Sequence, residues 1–173
     1  MEIQKVFGKD FNMKITQIIP YVLNEDLEKD GMKVSVNDLV LKATINSLMN
    51  NPKWNSSFDG DKLIMHSQIN LGIAIALEQG LIVPSILDAQ NLDLVSLSKQ
   101  SKDLGSRSRG NGNPLSNEEL TKGTFSTSNL GMFGTHAFTA IIVPPQSGII
   151  ALGEVKKEPK VVYNKVEIRD IMY

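Results

Sequence analysis

Apolar and polar positions follow two different periods along this chain. From 35 to 50, SVNDLVLKATINSLMN places Val36, Leu39, Val40, Ala43, Ser47 and Leu48 at intervals of three and four. That spacing predicts an amphipathic helix with those residues on its inner face. Ser35 is a good N-cap, and Asp38 stands at the capping-box position. Asn50, Asn51 and Pro52 end the helix. DLVSLSKQSKDLG, 93–105, predicts a second helix, capped by Asp93 and closed at Gly105. SNEEL restarts a helix, with Ser116 and Glu119 as a capping box.

Elsewhere the pattern is that of strands. ITQIIPYVL, 15–23, is apolar and β-rich, and the polar, turn-like NEDLEKDG follows it. SSFDGDKLIM, 56–65, reads as the tip and return of a hairpin turning at Asp59-Gly60. INLGIAIAL, 69–77, and GLIVPSIL, 80–87, read as strands buried on both faces. Further strands are expected at 123–128, 138–143 and 148–153, with Pro144-Pro145 between the last two. KVVYNKVEI predicts a hairpin around Asn164, and SRSRGNGNP, 106–114, a flexible loop. Strands outnumber helices and do not alternate with them, which favours an α+β fold with a mixed sheet over a doubly wound one.

With 173 residues, 41% apolar and 21% charged, the chain fits one globular domain. A net charge of −1 gives no broad basic field, so neither nucleic acid nor membrane is expected as a partner. No apolar run reaches the roughly 18 residues of a membrane span. Without cysteine there is no disulfide, thiolate metal site or cysteine nucleophile. His66 and His136 are the only histidines, and neither has metal-ligand spacing, so both are read as structural or surface residues and no metal is expected. Glu25-Asp26 and Glu118-Glu119 suit turns and helix starts. Arg107 and Arg109 are placed in the mobile loop, and Lys156, Lys157 and Lys160 form a small solvated cluster.

One stretch resists this bland reading. TFSTSNLGMFG, 124–134, is a strand that breaks at Ser128 and Asn129 into a loop with two glycines. It lacks the Gly-Lys of a Walker loop and the Gly-x-Ser-x-Gly of a nucleophile elbow. On local pattern it is a strand-terminating turn.

Taken together, NLGIAIALEQGLIVPSILDAQNLDLVSLSKQSKDL and LSNEELTKGTFSTSNLGMFGTHAFTAIIVPPQSGIIALGEVKKEP resemble the catalytic domain of dihydrolipoyl acyltransferases, the core subunits of 2-oxoacid dehydrogenase complexes. The resemblance runs from about Ile15 to Tyr173 and is densest from Val34 onward. It implies a two-layer α+β sandwich like chloramphenicol acetyltransferase, and acyl transfer between dihydrolipoamide and coenzyme A. It further implies trimers built into a larger cubic or icosahedral core, with active sites in channels between subunits. Lipoamide would arrive on a separate lipoyl domain, and the dehydrogenase components would be further partners, in bacterial cytoplasm or the mitochondrial matrix. Ser128 matches the family's oxyanion-stabilising serine, and Asn129, Leu130, Gly131 and Met132 the backbone around the bound arm. The family's general base lies in a His-x-x-x-Asp-Gly motif that is absent from these 173 residues. They are therefore expected to be a single, incomplete catalytic domain without lipoyl or peripheral-subunit-binding domains, inactive on its own. The competing expectation is a non-catalytic scaffold subunit of the same complex.

Overall fold

The computed structural model describes residues 33–173, so the expected strand at 15–23 and turn at 24–31 lie outside the described residues. The first helix, α1, is Val36–Asn50. Its capping box is in place: Ser35 Oγ accepts from Asp38 N at 3.2 Å, and Asp38 accepts from Ser35 N at 2.8 Å. Its inner face overlaps the expected one at Ala43 and Leu48 but is otherwise shifted. Asp38, Leu41, Thr44, Ile45 and Leu48 are buried, whereas Val36, Leu39 and Val40 are half-buried. The helix carries apolar residues on two sides, and the side that turns inward includes the buried Asp38. Its carboxylate accepts from Ser98 Oγ of the second helix at 2.8 Å, a buried pairing between two helices that periodicity does not reveal.

That second helix, α2, is Leu94–Ser108, with Asp93 accepting from Ser96 N at 2.7 Å. It runs a turn past Gly105, where the sequence predicted its end. Ser106, Arg107 and Ser108 thus leave the expected loop and join the helix. Gly110 and Gly112, at φ 87° and 95°, make the loop that follows. The short helix α3, Asn117–Thr121, carries the expected capping box.

The strands are β1 Ser56–Asp59, β2 Lys62–Met65, β3 Leu71–Ile73, β4 Ile75–Leu77, β5 Gly80–Ile82, β6 Ser85–Ile86, β7 Phe125–Asn129, β8 Ile149–Leu152, β9 Val155–Val162 and β10 Lys165–Met172. The central sheet has the order β6-β3-β7-β8. β3 pairs antiparallel with β6, while β7 is parallel to both β3 and β8, so the sheet is mixed as expected. Asp59 faces Lys62, which puts the β1–β2 turn at Gly60-Asp61, one residue later than predicted. The runs 69–77 and 80–87 are buried mainly around β3 and β6, with Ile75 of β4 also buried. Their outer halves form the β4–β5 hairpin, with Leu81 exposed. Residues 138–143, rich in strand formers, are irregular, because strand propensity expresses itself only where a neighbouring strand completes the ladder. The last hairpin turns on Tyr163 and Asn164, both at positive φ (48° and 60°), as a two-residue primed turn requires.

Leu71, Ile86 and Phe125 stand opposite one another in register, and they meet Leu41, Ile45, Leu48, Leu97 and Leu104 of the two long helices in one core. The helices therefore cover one face of the central sheet. The other face is built from small residues: Gly72, Ser85 and Ser126 align across three strands. A Cβ on Gly72 would stand 2.6 Å from Ser126 Oγ, so only glycine fits beneath that hydroxyl.

Candidate functional site

Side chains alternate across a strand, and this fixes where Ser128 points. Phe125 and Thr127 face the helices. Ser126 and Ser128 face the opposite side, where Ser126 Oγ donates to Gln146 Oε1 at 2.6 Å. Ser128 is half-buried, sits beside Ala151 of β8, and among the described residues its hydroxyl has no hydrogen-bond partner. A hydroxyl held on a strand and without a partner among the described residues is available to an incoming group.

Asn129, one residue later, turns to the helical face. Its Nδ2 donates to Asn37 Oδ1 of α1 at 2.9 Å, and its Oδ1 accepts from Gly131 N at 2.9 Å. Leu130 N donates to Leu152 O at 3.0 Å, extending the β7–β8 ladder past the strand's end. The chain then makes a single 3-10 turn, Gly131–Phe133, and leaves it at Gly134 with φ 71°. Here two backbones cross almost in contact. A Cβ on Gly131 would meet Gly153 O at 2.7 Å, and one on Gly153 would meet His136 O at 2.0 Å. Both glycines are thus demanded by the crossing itself. Glu154 N donates to Thr135 O at 2.8 Å and Gly153 N to Tyr173 O at 2.6 Å, which fixes the end of β8 between the loop and the last residue.

A cavity of about 230 Å³ opens on the helical side of this crossing. Asn37, Asn129, Gly131, Met132 and Glu154 line it together with apolar side chains of α1, β9 and β10. Three of the four residues expected around a bound arm, Asn129, Gly131 and Met132, therefore share one wall. Leu130 and Ser128 do not line it, and Ser128 faces the other side of the same strand. Ligand pockets usually measure roughly 300–1,000 Å³, so this one is too small to enclose a whole cofactor-sized molecule.

The histidines are engaged elsewhere. His66 Nε2 lies 2.6 Å from Ser57 Oγ, the structural role expected of it. His136 is exposed, packs edge-on against Tyr173 at 4.9 Å, and approaches Glu158 at 3.9 Å. Lys160 and, secondarily, the Tyr173 hydroxyl hold the Glu158 carboxyl below its usual range. Lys156 pairs with Glu154 at 2.5 Å and Lys160 with Glu158 at 3.1 Å, so these two members of the basic cluster are ion-paired. Arg107, expected in a mobile loop, is locked in α2. Its guanidinium donates to Glu119 at 2.5 and 3.0 Å and to Asp103 at 2.7 Å. No helix among the described residues is long and apolar enough to cross a membrane, and among them no three metal-ligating side chains gather. Asn37 was missed by sequence reasoning. Its only signal was its place in the first turn of a well-capped helix, and its partner lies 92 residues away.

Comparison with known proteins places this geometry. Residues 8–173 match the family model for 2-oxoacid dehydrogenases acyltransferase (catalytic domain). Over 149 residues the chain is 38% identical to the dihydrolipoyllysine-residue acetyltransferase component of the pyruvate dehydrogenase complex from Zymomonas mobilis, covering 86% of this chain and 33% of the relative. It thus spans about a third of that relative's length. The fold matches dihydrolipoamide acetyltransferase from Azotobacter vinelandii with a TM-score of 0.84 at 26% identity, over 90% of this chain and 64% of that one. In that enzyme a serine, a histidine and an asparagine were investigated for their roles in the catalytic mechanism. The cubic core of the pyruvate dehydrogenase multienzyme complex matches with the same score, identity and coverage. The mixed four-stranded sheet under two helices, the glycine crossing after Ser128 and the family match over nearly the whole sequence agree: this chain belongs to the 2-oxoacid dehydrogenase acyltransferase catalytic-domain family.

Proposed function

We propose that this chain supplies the catalytic domain for transfer of an acyl group between the thiol of dihydrolipoamide and coenzyme A. In the forward direction the coenzyme A sulfur attacks the carbonyl carbon of the acyl-dihydrolipoyl thioester. The carbonyl becomes a tetrahedral oxyanion, the bond to the lipoyl sulfur then breaks, and the proton lost by one thiol is gained by the other. Ser128 donates its hydroxyl to the oxyanion. A donor aimed before the reaction stabilises charge that exists only near the transition state, so it raises the rate rather than ground-state affinity. The general base comes from a neighbouring subunit, as in the family the chain resembles. Asn129, Gly131 and Met132 form the wall along which the pantetheine or lipoyl arm runs, where glycine lets a ligand approach the backbone closely, and Leu130 ties that backbone to β8 through Leu152.

The observation that carries this reading is the Ser128 hydroxyl, presented on the sheet face opposite the helices with no partner among the described residues. The assembly proposed with it is a trimer that builds a larger core and receives a lipoyl domain and the dehydrogenase components. The test uses the protein expressed from its complete reading frame. Transfer from acetyl-CoA, succinyl-CoA or a branched-chain acyl-CoA to dihydrolipoamide is expected for at least one donor. A folded, assembled protein that transfers none of the three would replace this reading with the scaffold role.

A further inference from the structure

We propose that Asn37 is a positioning residue for this site, setting through Asn129 where the Ser128 hydroxyl stands. The inference deepens the acyl-transfer reading and rests on it. The Asn129 amide does two jobs at once. Gly131 N–H can only donate, so the amide oxygen of Asn129 must face it, and its nitrogen must face Asn37. Asn37 in turn must present its oxygen, as it does at 2.9 Å. The orientation of both amides is thus fixed by chemistry.

Asn37 is also well anchored. It lies in the first turn of α1, between Val36 and the buried Asp38, whose carboxylate accepts from Ser35 and from Ser98 of α2. Among the described residues, the Asn37–Asn129 bond is the only side-chain hydrogen bond between the two long helices and residues 128–136. On its other edge the same strand end is held to β8 by Leu130 N and by the Gly131–Gly153 crossing. Ser128 and Asn129 point to opposite faces of one strand. A rotation of the strand end that moves one therefore moves the other, and Asn37 is the helical-side stop.

The bond is exposed to water. An exposed amide pair adds little to global stability, since water competes for both groups. Its value is local. An oxyanion donor acts by being already aimed, and small displacements forfeit much of the effect.

Asn37→Ala removes the acceptor, and Asn37→Asp keeps an oxygen in its place. In the complete protein, Asn37→Ala is expected to lower kcat for acyl transfer about three- to tenfold. KM for dihydrolipoamide should change less than kcat, because the aim of the Ser128 hydroxyl, more than the cavity wall that Asn37 shares, is the interaction lost. In a Ser128→Ala background the same substitution should cost nothing further, since two residues acting as one unit are not additive. Asn37→Asp should restore kcat. Equal losses in both backgrounds, or no loss from Asn37→Ala, would overturn the proposal. Hydrogen exchange of the 128–134 backbone in the same protein gives a readout independent of turnover. Faster exchange at Gly131 in Asn37→Ala, recovering in Asn37→Asp, is expected. Should the unaltered protein transfer no acyl group, the functional reading fails, and unchanged exchange at Gly131 would separately sink the tie.

Discussion

Glu119 serves two elements at once. It accepts from Ser116 N at 2.7 Å to complete the capping box of α3, and from Arg107 of α2 through both carboxylate oxygens. Both side chains are mostly shielded from solvent. The Arg107 guanidinium is the main cause that holds the Glu119 carboxyl at about 2, and the carboxylates of Glu119 and Asp103 raise the guanidinium in return. The folded-state value lies below the ordinary 4.5, so the pair contributes stability above that pH and loses it as pH falls toward 2. Glu119→Gln is therefore expected to cost about 1.5–3 kcal/mol at pH 7. The variant should also lose less stability than the parent between pH 4.5 and 2. Urea unfolding at several pH values reads both effects, and a variant as stable as the parent at neutral pH would show that the pair contributes nothing. The capping box was legible in the sequence because its residues are three apart. The Arg107 contact was not, because Gly105 signals a helix end and nothing local says that an ion pair across twelve residues prolongs the helix.

At the scale of elements, the same division between local and distant causes recurs. Both capping boxes, the Asp93 cap and the Tyr163-Asn164 turn follow from neighbours in sequence, and each was found where it was expected. The inner face of α1 was only partly legible, at Ala43 and Leu48, because the helix is apolar on two sides and its buried Asp38 pairs with a serine 60 residues away. Likewise the strand formers of 138–143 find no partner strand among the described residues. Ser128 was singled out through family resemblance alone, since its local pattern is an ordinary turn. The glycines of its loop, by contrast, have a direct physical reading. Gly153→Ala would drive a methyl group against the His136 carbonyl, a backbone group that cannot swing aside. We expect a loss of about 1–3 kcal/mol from overpacking, together with release of the 130–136 loop seen as faster hydrogen exchange. Wild-type stability and exchange in this variant would mean that the crossing is looser than described.

At the scale of the whole molecule, large apolar side chains are exposed both on the last hairpin and on the chain between β7 and β8. Met132 is 81% exposed, Phe133 66% and Ile141 89%, all on the chain between β7 and β8. Single exposed apolar residues are normal on a protein surface, but Met132 also lines the cavity and Phe133 follows it directly, which suits the proposed interface with further copies. The double substitution of Met132 and Phe133 by Ser is expected to shift the mass of the complete protein from trimer toward monomer in sedimentation at micromolar concentration, while the monomer fold persists. A parent that is monomeric and fully active would contradict the proposed assembly. The acyl-transfer role of Ser128 is tested most directly by kcat for transfer between acyl-CoA and dihydrolipoamide in Ser128→Ala, with mass and thermal unfolding recorded on the same sample. Loss of one oxyanion donor predicts a fall on the order of 10²–10³ with assembly and stability unchanged; turnover within a few-fold of the unaltered protein would contradict it.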